Sequence, residues 1–404
     1  MKCILHIGTA KTGTTLLQNW IYDNKVEFSK SGIYISENLG KTNNRLIPAY
    51  FSSQLDDWAK RNSIKTLGEK NQYFSSFLKD LETEISNAKE SHQVFVITSE
   101  HLHSRLKNKE DIKHLHSFLV SAFDEVEVVC YFREQFDIAV SLYSTGLKHK
   151  QDRDLESFIK SIGPKSYYFN YTEIADSWSD VFGRNNCNFR IYDREKFVNN
   201  DIRIDFLNVI EKNFNHQKLN MKRTSSNSSL HLLQSFAFKV INQKIPYWKP
   251  DGNSLNTQNT EAKAKLIKLD SFKFGKIVSK NKILTQNKFK EINNVLFEKY
   301  FQIGDSFPET EKNNTNITMK QVFRALEDGI EFGIDLNANV RNSLSNDEII
   351  TLTDTAKELY AKNPKSRKKA LALMKIALKQ RPNSPKMKKM VHKWSSRIDS
   401  MKNN

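Results

Sequence analysis

The sequence predicts an α/β layer fold with a mainly parallel central sheet and a helical C-terminal extension. Three observations predict it. Short, wholly apolar runs alternate with helically spaced apolar residues through the first half of the chain, as expected of strands covered on both faces. A Gly/Thr loop joins the first of these runs to an amphipathic stretch. The end of the chain turns basic and helix-patterned, with no strand-like run.

The elements follow in order. CILHI at 3–7 ends at Gly8 and reads as a buried strand. GTAKTGTT at 8–15 then leads into LLQNWIYDNKVEF, with helical spacing at Leu16, Leu17, Trp20 and Ile21. Residues 32–36 read as a short strand, 40–70 as polar and irregular, and 71–90 as one helix through Phe74, Phe77, Leu78, Leu81 and Ile85. VFVIT at 94–98 is a strand, 110–123 a helix, 126–132 a strand running into Arg133, and 135–148 a helix. A helix at 170–183, a strand at 188–192 and a helix at 202–213 follow. Residues 221–300 are largely helical, with polar breaks near 249–260. Residues 306–318 suit a linker. Two or three helices at 345–400, broken at Asn363-Pro364 and Pro382–Pro385, present Ala356, Tyr360, Ala370, Leu373, Ala377 and Leu378 on one face. They loosely resemble one tetratricopeptide-type hairpin. Such a unit cannot bury its face alone and is expected to dock elsewhere. The expected domains are 1–305, a connector at 306–344 and a basic helical tail at 345–404.

No run approaches the roughly 20 apolar residues that span a bilayer, which excludes a polytopic membrane protein. Twenty-six Phe, thirteen Tyr and five Trp exclude wholesale disorder. Cys3, Cys130 and Cys187 have no CxxC or CxxH companion, so neither a disulfide frame nor a zinc site is expected. Cys3 and Cys130 sit in apolar runs and read as core residues. With no secretory signal at the start, the expectation is a reduced, cytoplasmic protein, with peripheral attachment to the inner membrane face as a variant of it. Residues 354–404 hold fifteen Lys+Arg against three Asp+Glu, a net of +12 out of the chain's +17. The basic tail suits an anionic polymer, a membrane surface or an acidic protein partner, with no specific nucleic acid. Its bland alternative is a solvated helical surface.

The loop at 8–15 is the strongest signal. Two glycines let successive N–H groups converge on an anion, and the next helix offers its free amides and positive dipole end. Thr14 and Thr15 add hydroxyls, and Lys11 adds a mobile cation. Against the triphosphate pattern GxxxxGK[ST], Gly8, Gly13 and Thr15 match, but Thr14 stands where the Lys belongs. A single early lysine suits a ligand with less charge than ATP, such as a phosphosulfate.

HIGTAKTGTT resembles the 5′-phosphosulfate loop of sulfotransferases that use PAPS (3′-phosphoadenosine 5′-phosphosulfate) as donor. VVCYFREQFDIAVSLY supplies the second signature of that family, a strand-end Arg133 with Ser141 eight residues on. The resemblance covers roughly residues 1–215 and implies a P-loop NTPase-like three-layer fold. It implies that Lys11 contacts the bridging oxygen and the transferring sulfonate. It places Gly13, Thr14 and Thr15 on the 5′-phosphate, counts Gly8 and Thr12 among the donor-binding residues, and puts Arg133 and Ser141 on the 3′-phosphate. Leu16 stands where small-molecule members carry a Trp, and no RKGxxG-type segment is present. The chain is closer to the bacterial and carbohydrate-type members, which implies sulfonate transfer to a hydroxyl, or an amine, of a glycan or glycoconjugate, as in polysaccharide biosynthesis. No metal is expected.

Such transfer needs a base at the attacking oxygen. Glu100, just past VFVIT, is the first candidate, with His101 and His103 as alternatives on what reads as a polar surface loop. Ser99 is expected to cap the helix that follows. Two other classes remain: a degenerate P-loop kinase or NTPase, and a non-catalytic nucleotide-binding interaction protein.

Overall fold

The computed structural model describes residues 1–211, 214, 219–222, 229–249, 254–277, 279, 281–308, 325, 346–362 and 366–400. Five strands form one sheet: β1 Lys2–Gly8, β2 Ile33–Ile35, β3 Val94–Thr98, β4 Glu125–Phe132 and β5 Cys187–Ile191. The helices used below are α1 Thr14–Asp23, α2 Phe77–Lys89, α3 His101–Arg105, α4 Lys109–Ala122, α5 Gln135–Lys148, α6 Tyr171–Phe182 and α7 Ile202–Ile210. After them come α8 Leu232–Lys244, α9 Thr257–Leu266, α10 Lys282–Tyr300, α11 Asn346–Lys362, α12 Arg367–Gln380 and α13 Pro385–Ser400.

The sheet order is β2-β3-β1-β4-β5, and every pairing is parallel. Chain order reverses across β1, which pairs with β3 on one side and β4 on the other. The crevice at such a reversal, beyond the C-terminal strand ends, is where open parallel sheets bind ligands. Both faces are covered. Ile4, Val96, Val129 and Tyr131 pack with Leu17, Trp20 and Ile21 of α1 and Phe206 of α7. On the other face Phe132 stacks on Tyr171 of α6, and Phe95 meets Phe123 just past α4. Cys3, Cys130 and Cys187 are buried free thiols.

Asp205 of α7 ties the first of these faces together. Its carboxylate takes two bonds from Arg190 of β5, one from the Tyr131 hydroxyl of β4 and one from the Val198 N–H. It is fully buried, a position a carboxylate keeps only when paired and hydrogen-bonded.

Two local expectations are corrected. Residues 40–70 are not irregular: short helices run over Leu46–Phe51, Asp57–Arg61 and Leu67–Tyr73. Asp56 and Thr66 cap the second and third through their side chains. The expected single helix at 71–90 is broken at 74–76, between Leu67–Tyr73 and α2. There Phe74 and Phe77 pack against Tyr50, and Phe74 stacks on Trp58. An aromatic cluster, rather than one helical stripe, absorbs the apolar residues.

The chain divides into two compact units: residues 1–142, 156–228 and 280–311, and residues 143–155, 229–279 and 312–404. Residues 229–279 thus group with the tail rather than with the sheet. The expected break at Asn363-Pro364 and most of the expected connector lie outside the described residues. The tail is three helices, not one hairpin. Ile349, Ala356, Ala370, Leu373, Met374, Ala377, Met387 and Trp394 bury a common cluster, so the expected need for an outside docking face is met within the tail. Tyr360 and Trp394 stack at 4.1 Å. No described helix is long and apolar enough to cross a membrane.

Candidate functional site

The three strand-end groups singled out in the sequence meet at the reversal point. β1 ends at Gly8, whose φ is 115°. A side chain there would lie 3.0 Å from Nδ1 of His103 and 3.2 Å from the Cα of Glu100. Only glycine fits that conformation and that space. The loop then crosses toward β4, where the Thr9 N–H and hydroxyl both donate to the Tyr131 carbonyl, each at 3.0 Å. Thr12 donates its hydroxyl to the Thr9 carbonyl at 2.6 Å. Thr12 is buried, and that proton is spent inside the loop. Lys11 is half-buried and left-handed, with φ 69°. Gly13, at φ 72°, starts α1, and a side chain there would meet the Tyr192 hydroxyl at 3.3 Å.

Helix α1 opens with no side-chain cap and no acidic residue in its first turn. Its first closed bond runs from the Leu17 N–H to the Gly13 carbonyl at 3.0 Å. The amides of Thr14, Thr15 and Leu16 therefore precede the helical ladder and point out of its N-terminus. Thr14 is buried and Thr15 exposed. This end can accept an anion through amides and dipole together.

Arg133 leaves β4 directly into this loop. Its Nη1 donates to the Lys11 carbonyl at 3.2 Å, and its guanidinium lies 5.5 Å from the Tyr192 ring centre. Arg133 also reaches Oδ2 of Asp137 at 3.5 Å. Asp137 and Ser141, four residues apart, share one face of α5, and Arg133 precedes that helix by two residues. Ser141 is half-buried. Asp137 was not singled out in the sequence. A carboxylate between two expected phosphate contacts is the least favourable feature of the site.

Glu100 precedes α3. Its Oε2 accepts from Nε2 of Gln18 on α1 at 2.7 Å, and Gln18 is buried. The helix that follows the 8–15 loop and the candidate base Glu100 are thus directly bonded. His101 Nε2 lies 3.9 Å from the Glu100 carboxylate. Burial pushes its pKa down, the Glu100 charge opposes that, and Arg45 and Arg105 add to the depression. The side chains of Glu100 and His101 keep 18% and 22% of their surface exposed.

The surface-loop reading of residues 101–103 is corrected. His103 is fully buried, with both ring nitrogens lacking a hydrogen-bond partner, and burial holds its pKa down at about 3. It cannot reach an acceptor without unpacking. Ser99 does not cap α3 through its side chain: its buried hydroxyl has no partner, and its backbone carbonyl accepts from the Leu102 N–H instead. His6, hidden in the apolar run of β1, faces this end too. It bonds the Thr98 hydroxyl at 2.8 Å, and burial pushes it down to about 4. Its only sequence signal is a polar residue inside an otherwise apolar strand.

Beside His101, Arg45 and Arg105 share the carboxylates of Asp56 and Asp57. One residue past Arg133, the buried Glu134 caps α5 by accepting from the Phe136 and Asp137 N–H groups. It also borders a cleft of about 650 Å³ between α10 and residues 301–308. Among the described residues no group of three or more His, Cys, Asp or Glu is placed to hold a metal.

No family model matches the chain, and no solved structure matches it. A stretch of 213 residues is 25% identical to an uncharacterized protein of Archaeoglobus fulgidus, covering 50% of this chain and 55% of that one. The chain therefore spans about half the length of this curated relative.

Proposed function

We propose that the protein is a PAPS-dependent sulfotransferase on a P-loop-like sheet, moving a sulfonate to a hydroxyl, or an amine, of a glycan or glycoconjugate. The observation that carries the reading is the bond from Arg133 to the Lys11 carbonyl. It ties the strand-end arginine of one expected phosphate motif to the loop of the other, about 120 residues away in the chain. The uncapped, acid-free start of α1 fits a 5′-phosphate, and the Arg133 fork fits a terminal phosphate. Asp137 fits less well, and its charge is expected to weaken the donor's grip rather than abolish it.

The donor supplies an activated sulfonate on a phosphate leaving group. This chain's residues do the rest. Glu100 takes the proton from the acceptor hydroxyl, held in place by Gln18. His101, kept largely neutral, is the alternative proton acceptor. Lys11 and the first-turn amides of α1 stabilise negative charge growing on the leaving oxygen. No proton on the leaving phosphate is required, because it departs as a stable anion.

Transfer of labelled sulfonate from PAPS to a panel of oligosaccharides tests the reading. Label should appear in an acceptor with wild-type protein and vanish with Lys11→Ala. Hydrolysis of Mg-ATP without sulfonate transfer would favour a kinase or NTPase instead.

A further inference from the structure

The tail carries a charge pattern that its own packing does not use. Residues 367–400 contain eleven Lys+Arg and one acidic residue, Asp399. On α13, Lys386, Lys389, Lys393 and Arg397 are all exposed. Their spacing of three and four residues puts them in one row about 16 Å long at 1.5 Å per residue. The row lies beside the stripe of Met387 and Trp394 that faces the tail core. On α12, Lys368 and Lys375 are likewise exposed, opposite the buried Ala370, Leu373, Met374 and Ala377. No ion pair engages these six side chains among the described residues.

Like charges repeated at such spacing repel one another and cost the helix stability. Among the described residues no ion pair of the tail compensates them. A repeating anion laid along the row would do so. The chemistry of the surface narrows the partner. α12 and α13 expose no large apolar side chain among the described residues, so nothing would insert between lipid tails, as membrane-surface helices do. The tail's Tyr360 and Trp394 are stacked on each other under Arg367, and Trp394 is buried. They offer no platform for unstacked bases. What remains is mobile ammonium groups on long stems, suited to a flexible polymer with charges at intervals rather than to a fixed groove.

We propose that the row on α13, extended by α12, binds an acidic polysaccharide. Given the function proposed above, on which the choice of polymer rests, this is the acceptor polymer or its sulfated product. The tail would then hold one long chain while the sheet unit acts on successive residues, raising the local concentration of acceptor sites.

The test uses the full-length protein and dextran sulfate as the probe, with uncharged dextran as control. The fourfold variant Lys386→Glu, Lys389→Glu, Lys393→Glu, Arg397→Glu should bind dextran sulfate at least tenfold more weakly than wild type, with a shallower salt dependence. The matching fourfold Gln variant keeps helix propensity, and should lose most of the binding without change in far-ultraviolet circular dichroism. Transfer to a short oligosaccharide should be unchanged in both. Wild-type affinity in the Gln variant would overturn the proposal. So would tighter binding of the wild type to duplex DNA, or to vesicles of anionic phospholipid, than to dextran sulfate at equal anion concentration. The readout is binding alone, so a wild type that retains dextran sulfate yet transfers no sulfonate would count against the enzymatic reading and not against this surface.

Discussion

The Arg133 guanidinium donates to the Lys11 carbonyl across 3.2 Å, so the exit of β4 holds the tip of the loop that leaves β1. On the function proposed above, a nucleotide with its 5′-phosphate on the loop presents its 3′-phosphate to Arg133. Arg133→Ala should weaken adenosine 3′,5′-bisphosphate binding by about 2–3 kcal/mol, the scale of a lost charged hydrogen bond. Arg133→Lys should recover only part of it, because an ammonium cannot reproduce the fork. Isothermal titration of the three proteins reads this directly.

Lys11 is expected to act on the transition state rather than on the fold. Lys11→Ala should lower kcat by about 10²–10³-fold, the usual scale for removing one electrostatic stabiliser. The half-buried loop-tip side chain should leave the melting temperature nearly unchanged. A large fall in Tm would instead assign Lys11 a structural role.

Gln18 holds Glu100 at 2.7 Å, which makes Gln18 a positioning residue. Glu100→Gln should remove most of the rate. Gln18→Ala should lower kcat by roughly tenfold with little change in donor affinity. Gln18→Glu, which sets two carboxylates face to face, should lower it at least as far. Full activity in Glu100→Gln would move the proton acceptor to His101.

Asp137 shares Arg133 with the expected phosphate. Asp137→Asn should tighten bisphosphate binding several-fold, and tighten it more at low ionic strength than at high. Weaker binding in that variant would mean that Asp137 orients Arg133 productively.

His6 and His103 are buried and held neutral, at about 4 and about 3. Their folded values lie below the ordinary 6.5, so the unfolded chain binds protons first as pH falls. Each contributes stability above pH 6.5, which is lost as pH falls from 6.5 toward its folded value. Glu134 acts in the opposite sense. Burial pushes it from 4.5 up to about 7, so its contribution is full below 4.5 and is lost as pH rises through 7. Imidazole resonances of His6 and His103 should not titrate between pH 8 and 5. Titration of either near 6.5 would contradict its burial.

The strands β1, β3 and β4 were legible because burial on both faces writes an apolar run, and the edge strand β5 through its alternating buried Cys187, Phe189 and Ile191. Helix α5 was legible to the residue, because its apolar spacing starts directly after Arg133. The sheet order was not legible, since pairing joins residues such as Leu5, Ile97 and Val128 that carry no mark of each other. For the same reason the Gln18–Glu100 bond, 82 residues apart, has no sequence signature. The short helices before α2 were missed because each is at most seven residues, too short for a periodic stripe, and side-chain caps mark only the second and third. Asp137 was not singled out in the sequence, and only the structure shows it touching Arg133. The tail's third helix turned an incomplete hairpin into a cluster with a core of its own.

The most direct measurement is a thermal-shift titration with adenosine 3′,5′-bisphosphate, run beside Mg-ATP, on wild type and Arg133→Ala. Ligand at a hundred times its dissociation constant stabilises a protein by about 2.7 kcal/mol. The account predicts a rise in Tm with the bisphosphate in wild type, little or none with Mg-ATP, and a much smaller rise in Arg133→Ala. No shift with the bisphosphate, or an equal shift in Arg133→Ala, would contradict it.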